Sequence, residues 1–258
     1  MILNLKKLKP WELNYLEIFD TSTKNQLYFY FKFLKSKIFK NIKGDIVEAG
    51  VFRGKSLITS ALVLNQSNNK NKKLIWGYDT FKGFPKSSKF DFKKNFKSLF
   101  KKNKISKEHY KDVLKLEKYH KNIKSLDISP KNISSSADFK NTSYKFIKKK
   151  INYFKISSKI KLIQGDFKNT MKNEKNLPKK ISAGLIDCDL YEGYEISLNK
   201  FWPRMSLGGK LFLDEYYSLK FPGPRLIVNK FISKNKDVML IKEGKTVGFE
   251  RWSLKKTK

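Results

Sequence analysis

A glycine-containing turn between a buried strand and a buried helix restricts the fold of this sequence more than any other feature. In GDIVEAGVFRGKSLITSALVL, residues 44–64, a short strand at 45–49 leads through Gly50 and Gly54 into a helix over 56–64. A second apolar strand, KLIWGYD, follows at 73–79. Since a helical crossover joins parallel strands, this unit predicts a parallel sheet.

The same alternation returns in the second half of the chain. Predicted strands at 159–167, 181–187 and 210–216 alternate with helices at 195–205 and 222–234. The stretch 238–252 predicts a terminal hairpin that turns at Glu243–Gly244. The pattern therefore predicts an α/β fold: a Rossmann-like, doubly wound, mostly parallel sheet with a C-terminal antiparallel hairpin.

Two segments lie outside this alternation of strands and helices. Residues 1–43 predict an N-terminal helical extension, and its aromatic part at 25–39 should pack on the main domain, 44–258, or on a second subunit. The lysine-rich insertion at 86–158 predicts helices near 90–102, 107–123 and 139–153, with a polar loop at 127–139. Such an insertion fits either a solvated surface excursion or a helical lid over the substrate.

The charge and the chain ends restrict the protein's environment. The formal charge is +34, yet only four of the 57 basic residues are arginine, so a nucleic-acid partner is disfavoured. The alternatives are compositional drift and a preference for polyanions or acidic membranes. No signal peptide or membrane span is recognised, which predicts a cytoplasmic protein. The single cysteine, Cys188, is expected to be a small buried strand residue.

Acidic residues follow the predicted strands. Ligands gather beyond the carboxyl ends of strands in an open parallel sheet, and five acids are predicted there, namely Glu48, Asp79, Asp166, Asp187 and Asp214. Each alone could instead cap the helix that follows. The glycine turn lacks the G-x-G-x-x-G spacing, whereas Asp79 is well placed for a ribose. Together these features favour a nucleoside without a pyrophosphate, such as S-adenosylmethionine.

Five ordered motifs resemble one enzyme family. The segments GDIVEAGVFRGKS, GYDTFKGFP, LIQGDFKNTM, IDCDLYEGY and GGKLFLDEYYSLKFPGPRLIVNKF are similar to those of macrocin O-methyltransferases, a family of class I methyltransferases. The resemblance covers roughly 44–85 and 159–235. It implies an S-adenosylmethionine-dependent and Mg²⁺-dependent enzyme that methylates sugar hydroxyls.

The resemblance also implies roles for individual residues. The methionine end of the cofactor would contact Glu48, Gly50, Phe52, Arg53 and Gly54, with Ser56 close by. Asp79 would hold the ribose, with Thr80 nearby in the cofactor site, and Asp166 would face the adenine. Asp187, which also borders the cofactor, would bind the metal with Asp214 and Glu215, and Asp189 would be the general base. Glu215 stands where the family usually has aspartate.

The chemistry of these residue types agrees with such roles. Mg²⁺ prefers oxygen ligands, and a bound cation acidifies a coordinated hydroxyl. Tyr191, Tyr216 and Arg225 lie close to the acids in sequence and are predicted to bind the substrate, whereas His109 and His120 are expected at the surface. The other hypotheses are a catechol-like or nucleic-acid acceptor on the same fold, and a non-catalytic nucleoside-binding adaptor. Self-association through the aromatic N-terminal helix is a further expectation.

Overall fold

A seven-stranded mixed sheet forms the centre of the computed structural model, which describes residues 5–66, 73–124, 129, 132–134 and 138–258. The strand order is β3-β2-β1-β4-β5-β7-β6, and β1 to β5 run parallel while β7 is antiparallel to β5 and β6. The strands are β1 Asp45–Ala49, β2 Ile75–Asp79, β3 Ile160–Gln164, β4 Ile181–Ile186, β5 Met205–Leu213, β6 Val238–Thr246 and β7 Phe249–Lys256.

Helices cover both faces of this sheet. They are α1 Pro10–Tyr15, α2 Tyr28–Lys35, α3 Lys37–Asn41, α4 Lys55–Gln66, α5 Lys94–Lys101, α6 Lys107–Lys124, α7 Tyr144–Tyr153, α8 Phe167–Thr170, α9 Tyr191–Phe201 and α10 Gly223–Lys234. Successive side chains of β1 alternate between two cores: Ile46 packs with α2, α4 and α7, and Val47 packs with α9 and α10. Burial on both faces explains why these strands read as continuous apolar runs. In the described ranges no helix is long and apolar enough to cross a membrane.

The N-terminal helices belong to the first of these cores. Tyr30 and Phe33 of α2 both pack against Phe212 of β5, with ring centroids 5.3 and 5.8 Å apart. The aromatic stretch at 25–39 therefore packs on the main domain, which was one of the two predicted alternatives. The predicted loop at 127–139 falls largely outside the described residues.

The terminal hairpin does not turn where the sequence suggested. β6 continues through Gly244 with a register shift, and the chain reverses at Val247–Gly248, both of which have positive φ. Gly244 is a bulge whose missing side chain leaves room for the ring of Phe29, since a Cβ there would lie 2.4 Å from that ring. The predicted turn at Glu243–Gly244 is therefore wrong. Glycine is favoured in bulges as well as in turns, so the sequence did not distinguish the two.

Other boundaries also differ from the prediction: the strands predicted at 159–167 and 210–216 end at Gln164 and Leu213, and β5 and α9 begin earlier than expected. β5 begins at Met205. Gly208–Gly209 had suggested a turn, but they lie within this strand, where its pairing with β4 is irregular. α9 begins at Tyr191 instead of residue 195, and its first backbone N–H donates to Asp91 Oδ1 over 2.7 Å. Asp91 lies 100 positions earlier in the chain, so local sequence could not reveal this cap.

Candidate active site

The carboxyl ends of the parallel strands surround a cavity of about 380 Å³, a size common among small-ligand sites. Predicted site residues supply much of its lining: Gly50, Phe52, Arg53, Ser56, Asp79, Thr80, Asp166, Asp187, Asp189, Asp214 and Glu215. Five other predicted site residues lie outside the lining: Glu48, Gly54, Tyr191, Tyr216 and Arg225.

The turn after β1 is held by a carboxylate from the neighbouring strand. Asp79 Oδ2 accepts hydrogen bonds from the backbone N–H groups of Val51 and Phe52, each over 2.8 Å, while Oδ1 accepts from Phe81 over 2.6 Å. Gly50 has φ +93°, and a Cβ at this position would lie 1.8 Å from the carbonyl oxygen of Asp187. Only glycine therefore allows the β1 turn to approach the end of β4 this closely.

Glu48 lies beneath that turn and is fully buried. Its Oε1 accepts a hydrogen bond from Ser56 over 2.7 Å, while Oε2 has no partner among the described residues. Burial raises the pKa of Glu48 to about 8, the Ser56 hydrogen bond opposes this, and the charge of Asp79 raises it further. A buried polar atom without a partner is costly, so Oε2 of Glu48 fits a polar group supplied by a ligand or a water molecule.

The raised pKa of Glu48 predicts a specific pH dependence of stability. The unfolded chain releases this proton near 4.5 and the native protein only near 8, so the stabilising contribution is lost as pH rises through that interval. Glu48→Gln should remove the loss and stabilise the protein at pH 9 by about a few kcal/mol, with a smaller difference at pH 5. Urea denaturation measures both values. Glu195→Gln, at a half-exposed acid, is the control, and equal behaviour of the two variants would refute the prediction.

Three carboxylates from two chain segments converge at the cavity floor. One oxygen from each of Asp187, Asp214 and Glu215 lies within 4.8 Å of the other two. Asp187 follows β4, whereas Asp214 and Glu215 begin a 3-10 turn after β5, so the parallel pairing of the two strands brings the acids together. Asp214 and Glu215 are held by side chains to which the sequence analysis had not assigned this role. Arg251 of β7 pairs with Asp214 Oδ1 over 3.2 Å, and the Tyr194 hydroxyl donates to Glu215 Oε2 over 2.7 Å.

The electrostatics of this floor fit a bound cation. Burial raises the pKa of Asp187 well above its usual range, and the charges of Asp214 and Asp189 raise it further. Carboxylates this close need either a proton or a cation between them, and an all-oxygen donor set suits Mg²⁺.

Asp189 occupies the adjoining wall in a left-handed backbone conformation, with φ 60°. Burial raises its pKa to about 7, Asp214 adds to the rise, and Lys220 opposes it. Lys220 lines the same wall, and no sequence motif marked it as a site residue. Phe84 and Phe139 complete this side with ring centroids 4.8 Å apart. Phe139 belongs to the insertion, which therefore contributes to the cavity.

The three residues predicted to bind the substrate make their contacts outside the cavity. The Tyr216 hydroxyl donates to Asn229 over 2.8 Å, and the guanidinium of Arg225 lies 3.9 Å from the Tyr216 ring centroid while bonding the Lys104 carbonyl. Tyr191 stacks on Phe90 with ring centroids 4.4 Å apart. The structure thus gives these three residues packing contacts and does not bring them into the cavity lining.

Three expectations about single residues are corrected. His109 and His120 are buried, at 2% and 6% exposure, so neither is a surface residue. His109 lies 2.8 Å from the carbonyl oxygen of Ser218 and stacks on Tyr217, an arrangement that depends on tertiary packing alone. Cys188 follows β4 instead of lying within it, and it lines the cavity.

Comparisons with known proteins agree with this arrangement. Residues 28–121 and 124–242 match the sequence model of the macrocin O-methyltransferase family (TylF). Demethyldecarbamoylnovobiocin O-methyltransferase of Streptomyces niveus is 24% identical over 177 residues, which are 68% of this chain and 54% of the relative. The chain thus spans about half the length of that curated relative.

Two solved structures share the fold at 18% identity each. The O-methyltransferase NovP has a TM-score of 0.61, with 89% of this chain and 80% of that chain covered. The calicheamicin methyltransferase CalS11 has a TM-score of 0.60, with coverages of 96% and 80%. These matches and the strand order confirm the predicted Rossmann-like fold, including its antiparallel C-terminal strands.

Proposed function

Because this chain belongs to the macrocin O-methyltransferase family, we propose that it transfers a methyl group from S-adenosylmethionine to a sugar hydroxyl in a Mg²⁺-dependent reaction. The observation that carries the proposal is the convergence of Asp187, Asp214 and Glu215 beside Asp189 in one cavity. The acceptor would belong to a glycan or a glycosylated metabolite.

The cofactor half of the cavity is assigned to the β1 side. The turn around Gly50 and Phe52 would receive the methionine end, with Ser56 and the buried Glu48 beneath it. Asp79 would hold the ribose, while its oxygens also accept backbone N–H groups and so fix the turn. Asp166 would face the adenine. Its side chain also accepts a hydrogen bond from the backbone N–H of Lys168 and so caps α8.

The acceptor half is assigned to the acids. Asp187, Asp214 and Glu215 would hold the Mg²⁺, which supplies positive charge that lowers the pKa of an acceptor hydroxyl. Methyl transfer to oxygen requires the hydroxyl to lose one proton, and Asp189 would accept it on a carboxylate oxygen. Phe84, Phe139 and Leu190 would exclude water from this half, and this supports a covering role for the 86–158 insertion.

Methyl transfer to a panel of acceptors tests the proposed function. The purified protein should methylate a glycoside with vicinal hydroxyls, and excess chelator should abolish the product, as followed by mass spectrometry. A catechol and a structured RNA serve as competing acceptors. Preferential methylation of either, or cofactor binding without transfer to any acceptor, would replace the sugar assignment.

A further inference from the structure

A strongly basic helical hairpin lies beside the cavity. Residues 86–124 contain fourteen lysines and four acidic residues, and they form α5, α6 and the loops around them. Two of the acids are already engaged: Asp91 is buried against Tyr191, and Glu117 pairs with Lys93. The outward surface of the hairpin is therefore positive with little acidic compensation.

One outward stripe of α6 combines cations with apolar side chains. Lys111, Lys115 and Lys118 are exposed and follow the spacing of a single helix face; we call these three the lysine stripe. Leu114 lies within the stripe at 46% exposure, and Tyr119 and Ile123 flank it at 49% and 78%. The opposite side of the helix buries His109, Val113 and His120.

We propose that the lysine stripe, with its apolar neighbours Leu114, Tyr119 and Ile123, docks on the surface of an anionic lipid bilayer. Lysines at such a surface are attracted to acidic headgroups, while aliphatic and aromatic side chains enter the boundary between headgroups and acyl chains. A nucleic acid fits less well, because Leu114 and Ile123 offer no hydrogen bond to phosphate or base, and residues 86–124 contain no arginine.

The hairpin is fastened to the catalytic end of the molecule. Leu116 of α6 packs on the cluster of Leu190 and Phe221, and Leu190 lines the cavity. His109 contacts the Ser218 carbonyl in the chain that follows the metal-site acids. Docking would thus hold the acceptor half of the cavity near the membrane. The docking itself does not depend on methyl transfer, so either proposal can fail alone.

Vesicle cosedimentation tests the docking with the whole protein. We expect binding to vesicles of phosphatidylcholine mixed with about one third phosphatidylglycerol, and weak binding to phosphatidylcholine alone. Binding should weaken as salt rises because the attraction is screened. Equal binding to the two kinds of vesicle, or binding to neither, would overturn the proposal.

Charge-reversal variants distinguish binding by the lysine stripe from binding by the overall positive charge of the protein. The triple variant K111E/K115E/K118E should lower the partition onto anionic vesicles by roughly a hundredfold, since each lysine near such a surface contributes roughly fivefold. The control is K145E/K148E/K149E, which makes the same charge change at exposed lysines of α7 and should retain most of the binding. L114S/I123S should also weaken binding while preserving the charge.

Two outcomes of this comparison would reject the lipid surface. An equal loss in the α7 control would show an effect of net charge alone. Tighter binding of the wild type to a duplex RNA than to anionic vesicles, with the same loss in the α6 triple variant, would assign the stripe to nucleic acid. Unchanged circular dichroism of all three variants confirms that they fold.

Discussion

Replacing Asp187 by asparagine should lower the methyl-transfer rate by roughly 10³-fold or more, because a metal that stabilises developing charge contributes several kcal/mol. Asp187 lies between the other two acids and the turn after β1, since its N–H donates to Ala49 and its carbonyl contacts Gly50. Its backbone should remain in place in the variant, so the change removes one anionic ligand with little displacement of the site.

Thermal unfolding gives a second readout of the same substitution. Mg²⁺ should raise the Tm of the wild type by mass action, whereas Asp187→Asn should show little response. Without Mg²⁺ the stability of the variant relative to the wild type should increase as the pH rises, since burial and the charges of Asp214 and Asp189 raise the pKa of Asp187 and disfavour its ionised form.

Glu192→Gln is the matched control for this experiment. Glu192 lines the cavity but pairs with Lys168 over 2.6 Å and lies outside the three-acid set. Its variant should therefore keep the Mg²⁺ response. A full response in Asp187→Asn, or a response lost only in Glu192→Gln, would contradict the assigned metal site.

Asp189→Asn should lower kcat by roughly 10²- to 10⁴-fold while the affinities for Mg²⁺ and S-adenosylmethionine stay nearly unchanged, because a general base acts in the proton transfer. Asparagine is the suitable replacement here. The residue has φ 60°, a conformation that asparagine adopts more readily than alanine, so Asp189→Ala would add backbone strain to the lost carboxylate.

The pH profile distinguishes the base from a structural role. Burial and the charge of Asp214 raise the pKa of Asp189 to about 7 in the metal-free protein, and Lys220 lowers it. A bound cation acts in the same direction as Lys220, so the wild-type rate should rise to a plateau at or below neutral pH. The residual rate of Asp189→Asn should lack this ionisation, whereas a profile with the wild-type inflection would assign the proton to another group.

The sequence was informative where local pattern and fold impose the same requirement. The strand at 45–49 was located to the residue, because a buried parallel strand needs continuous apolar character and a glycine must follow where β1 meets the end of β4. The acids at the strand ends were found for a related reason, since parallel strands end at one edge of the sheet. The convergence of Asp187, Asp214 and Glu215 within 4.8 Å depends on the register of β4 and β5, which the sequence does not give.

The sequence did not reveal the element boundaries and side-chain contacts that depend on residues distant in the chain. Asp91 sets the first turn of α9, and Phe29 fills the space above the Gly244 bulge, so neither boundary was visible locally. Arg251 joins the acids only because β7 lies beside β5. Tyr216 and Arg225 were close to the acids in sequence, yet they pack on each other outside the cavity lining.

The Phe52–Arg53 turn is held by contacts on two sides, and this affects any attempt to alter the protein by exchanging segments. Glu17 binds the Arg53 side chain, while Thr142 and Lys150 of the insertion bind the carbonyls of Phe52 and Arg53. A chimera that imports the insertion of another family member would remove these bonds and loosen the turn to which we assign the methionine end of the cofactor. Under the proposed function, an exchange made to change acceptor selectivity should therefore also weaken cofactor affinity.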